Sequence, residues 1–215
     1  MSERIEIKRA VYEENDRLAA ILHERFAKDN IFTVNVLGSP GAGKTSSLKQ
    51  IIKRLDASLV SVIEGDIASN IDTADLKNLG IDAYQIETGG DCHLNTPMIR
   101  SIVKKMNLKK DGWLFIENIG NLVCPAEFVI GEDIKIVVSS TAEGSDKPYK
   151  YPSVFQKSAA VILTKMDIAK YVNFDLEYFS RGIRALNPDA KIFEVNAMTG
   201  EGFDEVSSWL KSLHH

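Results

Sequence analysis

The sequence predicts an α/β fold, a mostly parallel sheet of about seven strands with helices on both faces. Three observations carry this. Short apolar runs recur along the 215 residues, most of them nearly unbroken, as strands covered on both faces must be. Helical stretches with one apolar stripe fall between them. The first strand, moreover, runs into a glycine-rich loop that continues as a helix, the order of a phosphate-binding strand–loop–helix unit. No internal repeat or low-complexity linker interrupts the pattern. The chain therefore reads as one nucleotide-binding domain over 29–215, with a helix over 1–28 packed on it.

In chain order, Ile7, Val11, Leu18, Leu22 and Phe26 form one stripe of a charged N-terminal helix. Its bland role is packing on the flank of the sheet; its functional alternative is docking a partner. The predicted strands are Phe32–Leu37, Leu59–Ile63, Ala83–Ile86, Trp113–Ile116, Ile134–Val138, Ala160–Leu163 and Ile192–Val195. Helices are predicted over Ser46–Leu55, Leu94–Met106, Leu176–Leu186 and Phe203–Leu213.

Composition narrows the function classes. With 26% charged residues and a net charge of −4, nothing suggests a nucleic-acid surface, and Lys104, Lys105, Lys109 and Lys110 read as a solvated helix end. No apolar run is long enough to span a bilayer and no signal-peptide pattern opens the chain, so neither a membrane nor a nucleic acid is an expected partner. The two cysteines make no disulfide framework, and the expected compartment is the cytoplasm. His214 and His215 are assigned no role.

The octapeptide G-S-P-G-A-G-K-T, Gly38, Ser39, Pro40, Gly41, Ala42, Gly43, Lys44 and Thr45, matches the P-loop pattern. Its glycines let the backbone wrap so that successive N–H groups converge on phosphate oxygens. Lys44 reaches the β and γ phosphates in this pattern, the Thr45 hydroxyl holds Mg²⁺, and Ser46 continues the cradle. Carboxylates just beyond strand ends face the ligand crevice of such sheets. Asp66 is the candidate on the Mg²⁺ side. Glu117 stands at the Walker-B position, followed by Gly120, whose amide is placed to sense the γ-phosphate. Asp72, in S-N-I-D-T-A, either orients the attacking water or caps a helix.

The base is addressed by Thr164-Lys165-Met166-Asp167, a T-K-x-D guanine signature. Its aspartate accepts from two guanine donors that adenine does not offer, and the Lys165 stem lies over the purine. Asn196, Ala197 and Met198 follow the last strand, where a loop would close over the base. GTP is thereby favoured over ATP. Lys147, held by Pro148 in D-K-P, is a weaker candidate to reach a nucleotide on a partner subunit.

Cys92 and His93 follow Gly89-Gly90-Asp91, and Cys124 follows E-N-I-G-N-L-V, the segment that starts at Glu117. Thiolate and imidazole suit Zn²⁺, Ni²⁺ or Cu rather than Mg²⁺. Three ligands fall short of a closed tetrahedral zinc site, and a two-fold dimer would supply the rest. A square-planar arrangement would favour Ni²⁺, a tetrahedral one Zn²⁺.

Four stretches, G-S-P-G-A-G-K-T, G-G-D-C-H-L-N, E-N-I-G-N-L-V-C-P and D-K-P-Y-K-Y-P, make the chain resemble the HypB family of GTPases that assist nickel insertion during [NiFe]-hydrogenase maturation. The resemblance implies a GTP-hydrolysing metallochaperone and GTP-dependent homodimers. It implies a Ni²⁺ or Zn²⁺ site at the dimer interface on Cys92, His93 and Cys124, and slow hydrolysis. It further implies Asp72 as the water-orienting residue, Lys44 and Glu117 as catalytic companions, and Mg²⁺ on Thr45 and Asp66. A second nickel chaperone and a hydrogenase large-subunit precursor are the implied partners. This chain shows neither the N-terminal cysteine motif nor the histidine-rich stretch of some members, so nickel storage is not expected. Pro97 stands where some carry a further His, which argues against a second metal ion. The alternatives are a metal-responsive, nucleotide-dependent dimer without important catalysis, and a related chaperone GTPase serving another metalloenzyme.

Overall fold

The computed structural model describes residues 2–66, 76–77 and 80–214, with the side chains of 2–11 and 66 outside the description. Seven strands form a single sheet in the order β3-β2-β4-β1-β5-β6-β7, and every adjacent pair is parallel. They are β1 (Phe32–Leu37), β2 (Val60–Asp66), β3 (Asp82–Glu87), β4 (Trp113–Glu117), β5 (Ile134–Ser140), β6 (Ala160–Thr164) and β7 (Lys191–Glu194). The helices are α1 (Ser2–Lys28), α2 (Lys44–Ile52), α3 (Thr96–Val103), α4 (Cys124–Glu127), α5 (Lys147–Lys150), α6 (Pro152–Gln156), α7 (Leu176–Leu186) and α8 (Phe203–Leu213).

Alternation along each strand divides the core into two faces. Val34, Val36, Val62, Phe115, Ile136, Val138 and Ile162 face Leu48, Ile51 and Ile52 of α2 and Phe203, Val206 and Leu210 of α8. On the opposite face there are two separate clusters. One joins Ile63, Leu114 and Ile116 to Leu22 and Phe26 of α1 and Ile99 and Val103 of α3. The other joins Leu37, Val137, Val161 and Leu163 to α6 and α7 through Val154, Phe155, Phe179 and Ile183.

The predicted architecture is present, and two helices, Leu176–Leu186 and Phe203–Leu213, have the predicted limits. The differences have local causes. α2 starts at Lys44 because Gly43, at φ 97°, turns the loop into the helix in the left-handed region. α3 starts later than predicted, since the Asn95 side chain caps it by accepting from the Met98 amide and Pro97 sits in its first turn. β2 extends through Gly65 to Asp66, so that residue ends the strand. β7 lies at the sheet edge and is half-exposed, not covered on both faces. The buried stripe of α1 is Asn15, Ala19, Leu22 and Phe26, with Leu18 only half-buried; the side chains of Ile7 and Val11 lie outside the described residues. Asn15 is buried because its amide bridges the start of α3 and the loop before β5, donating to Val129 O at 2.8 Å and accepting from Thr96 N at 3.1 Å. Lys104, Lys105, Lys109 and Lys110 are exposed, but only the first two adjoin a helix end: α3 stops at Val103, and Lys109 and Lys110 lie in the loop before β4.

Candidate nucleotide and metal site

The glycine-rich loop leaves the carboxyl end of β1, the central strand. Gly41 (φ 73°) and Gly43 (φ 97°) adopt backbone angles that side-chain-bearing residues avoid. A Cβ on Gly38 would lie 2.4 Å from Val138 O, so the loop passes too close to β5 for any other residue. Lys44 is buried, its ammonium 3.4 Å from Gly38 O and 3.2 Å from Ser39 O, inside the loop's concave side. Thr45 Oγ1 donates to Glu117 Oε1 at 2.9 Å, so the P-loop hydroxyl and the acid closing β4 meet where a hard cation beside phosphate would sit. Ser46 is exposed on the first turn of α2. The Asp66 side chain and Asp72 lie outside the described residues.

The segment after Glu117 crosses the loop. A Cβ on Gly120 would lie 2.9 Å from Pro40 N, and Gly38 and Asn121 form an isolated antiparallel bridge. The base-side motif is tied to the same loop. Thr164 Oγ1 donates to Ala42 O at 2.6 Å, and Lys165, at φ 59°, donates from its ammonium to Gly41 O at 3.0 Å. Asp167 is exposed in the turn that follows. Asn196 Oδ1 folds the neighbouring loop by accepting from Met198 N and Thr199 N. Gln50 of α2 donates to Ala197 O at 2.8 Å, and Met198 stands out at 88% exposure. Lys147 opens α5, with its ammonium 3.4 Å from Glu143 Oε1 and 5.2 Å over the Tyr151 ring.

At the same end of the sheet the structure brings together Cys92, His93 and Cys124, with one donor atom of each within 4.8 Å of the others. Cys92 Sγ lies 3.5 Å from His93 Nδ1, and the imidazole stacks on Phe128 at 4.0 Å between centroids. A hydrogen bond with Cys124, and then partial burial, push the Cys92 thiol above its ordinary range. Burial lowers the basicity of His93, partly offset by Asp91, which favours the neutral imidazole that a metal needs. Two thiols and an imidazole this close fit a nickel or zinc ion by donor chemistry.

Asparagine side chains link the two candidate sites. Asn118 Oδ1 accepts from Leu94 N and from Ile119 N, each at 3.0 Å, and Asn121 Nδ2 donates to Cys92 O at 3.3 Å. Both asparagines lie in the E-N-I-G-N-L-V-C-P stretch, but nothing in that string assigns either of them a role. Phe128, the platform under His93, is equally silent, being one apolar residue among many.

A strand running into a glycine-rich loop, a lysine and a threonine opening the next helix, and an acid closing the adjacent strand define a P-loop nucleotide-binding domain. Residues 32–194 match the family described as CobW/HypB/UreG, nucleotide-binding domain. Hydrogenase maturation factor HypB of Escherichia coli strain K12 is 41% identical over 215 residues, covering 99% of this chain and 74% of that protein. The crystal structure of HypB from Archaeoglobus fulgidus superposes with a TM-score of 0.87 at 34% identity, covering 94% of this chain and all (100%) of that one. HypB from Helicobacter pylori, crystallised in complex with nickel, gives the same TM-score of 0.87 at 34% identity, covering 93% of this chain and 94% of that one. The chain belongs to the CobW/HypB/UreG family, in its HypB group. Among the described residues, no helix is long and apolar enough to cross a membrane.

Proposed function

We propose that this protein is a cytoplasmic, GTP-hydrolysing metallochaperone that assists nickel insertion into [NiFe]-hydrogenase, its homodimerisation on GTP being coupled to an interface site for Ni²⁺ or Zn²⁺. The observation that carries the reading is the pair of hydrogen bonds from the Asn118 and Asn121 side chains, in the segment after Glu117, to the backbone of Leu94 and Cys92, on either side of His93. A change at the γ-phosphate then moves the metal donors. The nickel-bound H. pylori relative supports nickel as the cargo.

The Gly38–Ser46 loop cradles the phosphates, and Lys44, now held on loop carbonyls, exchanges them for β- and γ-phosphate oxygens. Thr45, Asp66 and Glu117 would hold Mg²⁺ and its waters, which would supply positive charge against the phosphates. Asp72 orients the attacking water. Gly120 reports the γ-phosphate. Asp167 and Lys165 select guanine, with Asn196, Ala197 and Met198 closing over the base and Lys147 approaching the nucleotide of a second subunit. Cys92, His93 and Cys124 from both subunits hold the metal. The helix over 1–28 belongs to the same single domain, and a second nickel chaperone and a hydrogenase large-subunit precursor are the partners.

The test is a Ni²⁺ titration, followed by thiolate-to-nickel absorption, on GDP-loaded and GTPγS-loaded protein. About a tenfold difference in apparent affinity, roughly 1.4 kcal/mol of coupling, is expected. Equal affinities would separate the two sites and leave a nucleotide-binding protein with an incidental metal site.

A further inference from the structure

Between the two apolar clusters on the α1/α7 face of the sheet runs a row of polar side chains. Asn35 and Lys135 stand between apolar neighbours in β1 and β5, and Asn35 is fully buried at 0% exposure. The side chains of Lys135 and Glu132 are 8% and 4% exposed. A buried ion pair of this kind is weak evidence for stability, because desolvation offsets its attraction. Its connections suggest what it does instead.

Lys135 donates from its ammonium to Phe128 O at 2.7 Å and, at 3.4 Å, to Ala126 O, and it lies 3.4 Å from Glu132 Oε1. Those carbonyls belong to the short segment that starts at Cys124 and carries the ring beneath His93. Glu132 Oε2 accepts from Ile130 N at 2.6 Å, and Oε1 accepts from Asn35 Nδ2 at 3.2 Å. Asn35 Oδ1 in turn accepts from Asn118 Nδ2 at 3.3 Å. Asn118 Oδ1 closes the row on Leu94 N, next to His93.

One group sets the polarity of the whole row. An ionised carboxylate only accepts, so Glu132 turns the NH₂ of Asn35 toward itself and the oxygen of Asn35 toward Asn118. Asn118 must then present its NH₂ to Asn35 and its oxygen to the Leu94 amide. Each amide thus has one arrangement that satisfies every donor, and a displaced Asn118 is felt at both ends.

We propose that Asn35, Glu132 and Lys135 are positioning residues that carry the nucleotide state from Asn118 through the interior to the Cys124 side of the metal site, while Asn118 acts directly on the Cys92–His93 side. The inference rests on the nucleotide–metal coupling proposed above and assigns it to a buried route. None of the three residues touches nucleotide or metal. Movement at Glu117–Gly120 turns Asn118, which shifts Leu94 and, through the fixed polarity of the row, the carbonyls that seat Cys124 and Phe128.

The test repeats the Ni²⁺ titration with GDP and with GTPγS on full-length Glu132→Gln, Lys135→Met and Lys135→Arg. Glutamine keeps the shape of Glu132 but puts an N–H either against Lys135 and Asn35 or against Ile130 N. In Glu132→Gln and Lys135→Met the ratio of nickel affinities between the two nucleotide states is expected to fall from about tenfold to within about twofold of one. GTPγS affinity and the nickel affinity of the GDP form should change by less than about threefold. Lys135→Arg, which keeps the donors, should retain most of the ratio. A merely structural role would change melting temperature or both nickel affinities together and spare the ratio. A wild-type ratio near ten that survives both Glu132→Gln and Lys135→Met overturns the buried route and leaves the nickel carrier standing. A wild-type ratio of one overturns the coupling itself, and the route with it. Should one variant fail to fold, the ratio in the other decides.

Discussion

Gly120 and Pro40 touch so closely that the segment after Glu117 has no room for a methyl group there. In Gly120→Ala the segment must lift off the loop, and nucleotide affinity should drop at least about tenfold, as expected when a close backbone approach is blocked. Binding of fluorescent GTPγS reads this, and affinity within about twofold of wild type would show that the contact is incidental. The thiols offer a second residue-level prediction. The hydrogen bond with Cys124 is the largest cause that raises the Cys92 thiol, so Cys124→Ala should bring its titration back toward the ordinary thiol range. Alkylation of Cys92 in metal-free protein would then begin at lower pH in the variant than in wild type. Because a thiol must lose its proton to bind, nickel affinity in the wild type should rise with pH toward that raised titration. An unchanged alkylation profile in Cys124→Ala would mean that the two sulfurs do not interact. Much of this site was legible, because G-S-P-G-A-G-K-T and T-K-M-D are local strings whose chemistry depends on adjacent residues. Asn118 and Glu132 were not, since their roles depend on which strands lie side by side.

α1 is joined to the sheet by Leu22 and Phe26, which are 3% and 1% exposed, and by Asn15. Phe26→Ala should destabilise the fold by about 3–5 kcal/mol, since the void can close only partly. A denaturant midpoint close to wild type would instead mean that α1 detaches before the rest unfolds. At the start of α7, Asp175 accepts from the Tyr178 amide; Asp175→Ala should cost about 1 kcal/mol in the same assay. Apolar runs located all seven strands, because a two-sided parallel sheet writes itself as continuous hydrophobic sequence. The limits were less legible where a polar residue ends a strand for a reason outside it. Asp66 and Glu117 close β2 and β4, paired with Glu87 and Glu64, although an apolar count stops short of both. Asn35 and Lys135 carried a signal that could have been read, as polar interruptions of F-T-V-N-V-L and I-K-I-V-V. What they bond to was not in the sequence.

Over the whole molecule, both candidate sites gather at the carboxyl ends of the strands, as expected of an open parallel sheet. The phosphate loop leaves β1, which has β4 on one side and β5 on the other, while the Asn196–Met198 loop leaves β7, which has only β6. Local opening in such sheets starts at the rim and reaches the middle last. Amide protons of β7 should therefore exchange with solvent well before those of β1, and mass spectrometry of peptic fragments reads the order directly. The loop proposed to cover the base and the loop proposed to grip the phosphates consequently have different durability. Under gentle warming or dilute urea, the Asn196–Met198 loop should loosen while the Gly38–Thr45 loop and the Thr164–Asp167 turn tied to it still hold, so a bound nucleotide loses the cover over its base before it loses its anchor.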